Sequence, residues 1–168
     1  MFTEKEIDMM IWANAQSYGW SDEKLLRLRS KLHYLDKTKT YSTLITIALP
    51  NDTELAPLIR KLKCLEYKYL SKYVFCLEKY SKTGENLHVH MFLPYSVPKA
   101  KCIRDFSRKF RIKENFIDVR KRDSEDGAVF AESYVRGIKK DEEKAEFMQK
   151  DEEWRKANEI EKFYEINF

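Results

Sequence analysis

The chain has 168 residues, 43% hydrophobic and 36% charged, with 32 Lys+Arg against 28 Asp+Glu for a net charge of +4. This composition suits one domain with a sizeable core, and only 4 Gly and 4 Pro exclude collagen-like or linker-rich architecture. No run approaches the roughly 18 apolar residues of a membrane span, no GxxxxGK[ST] loop is present, and the acid-bearing opening MFTEKEIDMM predicts no secretory leader.

Charge is unevenly spread. Residues 1–36 carry 5 basic and 6 acidic groups, net −1; residues 37–140 carry 22 and 12, net +10; residues 141–168 carry 5 and 10, net −5. A basic middle suits a polyanion, and equally a solvated lysine-rich surface. Cys64, Cys76 and Cys102 are an odd set with no CxxC pair, which predicts free thiols and an intracellular setting.

Thr3 and Glu6 form a capping box ahead of a short helix to about Gln16. Ser21 opens a second helix with Leu25, Leu28 and Leu32 on one face. These make an N-terminal helical extension over 1–36. TLITIAL, residues 43–49, is β-branched and ends at Pro50, a strand. Leu55, Leu58, Ile59 and Leu62 repeat at helical spacing over 53–66. Residues 72–79 and 87–93 read as strands around a turn with Gly84 near its centre. Residues 99–110 fit a basic helix with Ile103, Phe106 and Phe110 inward, 115–120 a fourth strand, 127–139 a helix, and 141–163 a longer charged helix.

From residue 43 the order is β-α-β-β-α-β, then helices. That is the ferredoxin-like, split βαβ pattern of an α+β domain: an antiparallel sheet with helices on one face. The chain thus divides into the extension 1–36, a core 37–140 and a C-terminal charged helix 141–168. The topology alone does not fix function.

Two of the three histidines lie in LHVHMFL, at His88 and His90. Residues i and i+2 of a strand share a face, so the imidazoles stand side by side and can offer neutral nitrogens to a divalent cation. Glu78 lies on the preceding strand, and a hairpin near Gly84 brings it close to the pair. Its carboxylate adds the hard oxygen that Mg²⁺ or Mn²⁺ prefers. Tyr134, in FAESYVRGIKK, brings a hydroxyl that could attack phosphorus beside a metal-bound phosphate. Its helical spacing with Phe130, Ala131 and Ile138 also suits a core tyrosine.

TLIT (43–46), Glu78 with His88-Val89-His90, and Tyr134 followed by lysines together resemble the three ordered motifs of HUH endonuclease domains, as in the rolling-circle replication initiators of circular single-stranded DNA viruses and related plasmids. The likeness spans about residues 41–140. It implies a metal-dependent enzyme that nicks single-stranded origin DNA and rejoins strands. Tyr134 would attach to the 5′-phosphate, Glu78, His88 and His90 would hold Mg²⁺ or Mn²⁺, and Lys139 would be the motif lysine. In the family that lysine lies three residues after the tyrosine, where this chain has Gly137; Lys140 is the other candidate.

The resemblance further implies partners outside this chain, a helicase domain or host replication proteins, and no membrane. The setting would be the nucleus for a virus of eukaryotes or the cytoplasm for a bacterial plasmid. Lys39, Tyr41, Tyr80, Arg120, Lys121, Arg122, Arg136 and Lys140 are the expected DNA contacts, with Tyr95 as a further stacking platform. A second basic cluster, Lys99, Lys101, Arg104, Arg108 and Lys109, lies on or near one helix. Two alternatives stay open: an HUH transposase or relaxase, and a non-enzymatic RNA-binding domain of the same topology.

Overall fold

A computed structural model describes residues 42–138 and 145–168, together with Met9. The extension expected over 1–36, and Lys39, Tyr41, Lys139 and Lys140, lie outside the described residues.

The elements run β1 (Ser42–Leu49), α1 (Leu55–Lys63), β2 (Tyr73–Ser81), β3 (Gly84–Leu93), α2 (Lys99–Phe110), a 3₁₀ turn (Glu114–Phe116), β4 (Ile117–Arg122), α3 (Glu125–Val135), α4 (Ala145–Ala157) and β5 (Tyr164–Ile166). The strands form one antiparallel sheet in the order β4-β1-β3-β2-β5. The units β1-α1-β2 and β3-α2-β4 interleave, the ferredoxin-like α+β arrangement. Among the described residues, no helix is long and apolar enough to cross a membrane.

Strand alternation sorts the side chains into two layers. Ile45, Ile47, Phe75, Leu77, Val89 and Met91 bury one face against Leu58 and Leu62 of α1 and Cys102 and Phe106 of α2. This is the main core, and cutting Met91 or Phe106 back to Ala costs about 2–5 kcal/mol. On the other face, Val74, Cys76 and Phe92 pack against Ala131 and Val135 of α3. Helices therefore cover both faces, not one. The second face carries enough apolar side chains to seat α3 where the chain leaves edge strand β4.

The β2–β3 hairpin is tighter than expected. Ser81 pairs with Gly84 and leaves Lys82 and Thr83 as a two-residue loop, with Gly84 at φ +107° opening β3. Between Glu78 and Tyr80 the register shifts at a bulge.

Two helices stop earlier than their periodicity suggests. α3 ends in a Schellman motif: Ile138 N–H donates to Ser133 O at 2.8 Å and Gly137 N–H to Tyr134 O at 3.1 Å, with Gly137 at φ +77°. The tyrosine helix does not reach residue 139. α4 stops at Ala157 with Glu159 at φ 55° and Ile160 N–H donating to Arg155 O at 2.9 Å. The helix expected over 141–163 is thus shorter, and β5 extends the sheet by pairing with Tyr73–Phe75 of β2. Thr40–Phe168 form one compact unit, which includes this C-terminal segment.

Candidate functional site

The site lies on the sheet face covered by α3. β3 is flanked by β1 and β2, and the pairing places Thr46, His90 and Cys76 in one row and Ala48, His88 and Glu78 in the next. Directly paired residues share a face. Glu78, His88 and His90 therefore converge because the hairpin register sets Glu78 opposite His88.

His90 is engaged at both ring nitrogens. Its Nδ1 shares a 3.0 Å hydrogen bond with Thr46 Oγ1, and its Nε2 lies 3.4 Å from Glu78 Oε2. Thr46 is the last residue of TLIT, and its hydroxyl orients this imidazole. The His88 ring stands nearly parallel to that of His90, 6.1 Å between centres. Burial, then the neighbouring His90, lowers the His88 pKa and favours the neutral ring. The Cys76 thiol points to Glu78 Oε1 at 3.9 Å.

α3 lays Tyr134 over this face. Its ring meets His90 edge-on, 5.2 Å between centres at 89°, and its phenol lies within the field of the Glu78 carboxylate. Burial raises the phenol pKa, and the Glu78 charge raises it further, so the hydroxyl keeps its proton near neutrality. Ala131 and Val135 form the inward face of α3, whereas Phe130 and Ile138, expected to share the core face with Tyr134, are 56% and 61% exposed.

One site neighbour gives no short-range signal in the sequence. Asp151 of α4 is 1% exposed, and its Oδ1 accepts from the N–H of Lys79 at 2.7 Å and of Tyr80 at 3.1 Å. One turn on, Arg155 donates to Leu77 O at 3.0 Å. Beyond β5 the outer edge of β2 has no strand partner among the described residues, and this Asp/Arg pair at i,i+4 bonds backbone groups there. Among the described residues Asp151 Oδ2 is buried without a hydrogen-bond partner, and burial raises the Asp151 pKa.

In donor chemistry, Glu78, His88 and His90 fit a divalent cation: one carboxylate and two imidazoles, His88 biased to its neutral form. Among the described residues, however, no three His, Cys, Asp or Glu side chains already close on a common point. Glu78 and His90 are the members in contact.

The expected DNA contacts separate. By strand alternation Arg120 and Arg122 share the histidine face, paired opposite Leu44 and Ser42, while Lys121 turns to the other. Arg120 is ion-paired with Asp118 at 2.5 Å. Arg136 is held by Glu132 at 2.9 Å and by Glu165, and stacks near Phe163 and Phe168. Tyr80 lies past the register shift and lines a groove with Phe147, Lys150 and Trp154 of α4. Tyr95 is a latch: its hydroxyl accepts from the Ser71 and Lys72 N–H groups and donates to Lys72 O. The α2 cluster is exposed on a helix that packs against the opposite face of the sheet. No family model matches the chain, and no curated protein matches it.

Proposed function

We propose that the domain is an HUH-type endonuclease that nicks single-stranded DNA through Tyr134 and rejoins strands by the reverse step. The observation that carries this reading is the meeting of Tyr134, Glu78 and His90 on one sheet face, with His88 beside them. A core tyrosine would need none of these polar neighbours.

In the proposed reaction the Tyr134 oxygen attacks phosphorus, a phosphotyrosine bond to the 5′ side forms, and the bond to the 3′ oxygen breaks. The phenol's proton passes to solvent as attack proceeds. The departing 3′ oxygen takes a proton from solvent and leaves as a hydroxyl. Thr46 fixes the His90 ring, and the packing of Ala131 and Val135 fixes the height of Tyr134 above the sheet. Glu78, His88 and His90 would hold Mg²⁺ or Mn²⁺, which supplies Lewis-acid polarisation of a phosphoryl oxygen. Arg120 and Arg122, on the same face, would contact the strand's phosphates.

The test is a denaturing-gel assay for covalent protein–DNA adducts. The protein is mixed with Mn²⁺ and a pool of random single-stranded oligonucleotides, beside EDTA and Tyr134→Phe controls. A metal-dependent adduct that vanishes in Tyr134→Phe is expected, and sequencing the captured DNA reads the preferred site. An adduct that survives Tyr134→Phe overturns the assignment of the nucleophile.

A further inference from the structure

A groove of about 790 Å³ runs between the tip of the β2–β3 hairpin and α4. Its size falls among small-ligand clefts, roughly 300–1,000 Å³. Tyr80 lines it from the hairpin, and Phe147 and Trp154 line it from α4, all three half-buried. Lys82 and Lys150 lie along it as well.

We infer that this groove is a base-stacking subsite that takes an unpaired nucleobase of a bound single strand. The inference rests on the proposal that the domain binds single-stranded DNA. Three observations carry it. The bulge after Glu78 shifts the register at Tyr80, and the ring lines the groove. Asp151, on the same helix as Phe147 and Trp154, is bonded to the backbone at Lys79 and Tyr80, which ties the groove wall to the strand that bears Glu78. Tyr80 is two residues from Glu78, about 7 Å along β2, so one strand of DNA can span the reaction site and the groove.

Charge points the same way. Lys79 sits over the Tyr80 ring at 5.8 Å and Lys150 over the Phe147 ring at 5.9 Å. Aromatic faces flanked by cations are the pairing that single strands use, with bases on rings and phosphates on lysines. Each lysine is held by a carboxylate in the free protein, Lys79 by Glu85 at 3.0 Å and Lys150 by Glu146 at 2.6 Å, and a bound phosphate exchanges for that partner; Glu153 accepts from the Gln149 amide at 3.0 Å. Stacking does not read base identity, so the subsite tolerates any sequence.

The experiment uses the full chain in EDTA, where no cleavage occurs, and a labelled oligothymidine read by fluorescence anisotropy. Tyr80→Ala and Phe147→Ala are each expected to weaken binding about tenfold, the scale of one lost stack. Tyr80→Phe keeps the ring and is expected to bind like the wild type. In parallel, oligonucleotides carrying 5-iodouracil are irradiated on the wild-type protein, and crosslinks are expected at Tyr80 or Trp154. Crosslinks elsewhere, with both alanine variants binding normally, overturn the inference while leaving the nicking reaction intact. Crosslinks in the groove with no Tyr134 adduct uphold the subsite and overturn the nicking reaction. A wild-type protein that binds no single strand overturns both.

Discussion

Tyr134 and His90 meet edge to face, 5.2 Å apart at 89°, although 44 residues separate them in the chain. His90 is set by the sheet and Tyr134 by a helix that begins after the last core strand. The contact sets the proposed nucleophile in one layer with Glu78 and the imidazole. Tyr134→Phe keeps the ring and removes only the oxygen. The expected result is complete loss of covalent adduct with single-strand binding nearly unchanged. Stability should change by no more than ~1 kcal/mol, the scale of one polar contact, measured by urea unfolding.

The two histidines should separate in their effects. His90 is bonded on both nitrogens, to Thr46 and Glu78, and is packed against Tyr134. His90→Ala strands the Thr46 hydroxyl and empties the space under Tyr134, so its unfolding midpoint should drop well below that of His88→Ala; one orphaned buried group costs ~1–3 kcal/mol. Both variants should lose Mn²⁺ binding by calorimetric titration. Unchanged Mn²⁺ affinity in His88→Ala would remove that residue from the ligand set.

Sheet alternation decides which basic residues should matter for DNA. Arg120 lies on the histidine face and Arg108 is exposed on α2, across the sheet. Arg120→Ala should reduce the slope of log affinity against log salt by about 0.7, the value for one single-strand phosphate contact. Arg108→Ala should leave the slope unchanged. Equal effects from both would mean that charge acts only as a diffuse field.

The helix ends yield a pair of opposite signs. Gly137 sits at φ +77°, and a Cβ there would also meet Lys162 Cε at 2.4 Å, the flexible end of that side chain. Gly137→Ala should destabilise by about 1–2 kcal/mol, since a left-handed residue with a Cβ is strained. Glu159 occupies the same position after α4 at φ 55°. Glu159→Gly should therefore raise stability, by up to ~1 kcal/mol. Thermal unfolding of the two variants checks both signs.

Much of this arrangement is legible in the sequence because it is local. Period two puts His88 and His90 on one face, and the short connection forces Glu78 back beside them. The limits fall at longer range. β5 has three residues, too few to show alternation, and its place is set by the free edge of β2. Asp151 reaches the backbone 72 residues away, so only its i,i+4 spacing to Arg155 was visible. Gly137 reads as a stop signal, yet apolar Ile138 continues the periodicity past it, and only the Schellman bonds decide between them.

Asp151 yields a prediction that depends on pH. Its carboxylate satisfies two N–H groups at the bulge, but burial disfavours the charge and raises its pKa. A carboxyl whose folded pKa lies above its unfolded value contributes stability below the unfolded pKa and loses it as pH rises through the folded one. Asp151→Asn keeps an acceptor oxygen and never ionises. In EDTA it should match the wild type near pH 3 and become the more stable protein as pH rises toward neutrality. Asp151→Leu removes the acceptor and strands the Lys79 and Tyr80 N–H groups, a loss of about 1–3 kcal/mol for each, and it should be the least stable protein at either pH. Urea unfolding of the three proteins at acid and neutral pH separates these cases. An Asn variant less stable than wild type at neutral pH would show that the ionised carboxylate, through Arg155 or another cation, stabilises the fold more than its burial costs.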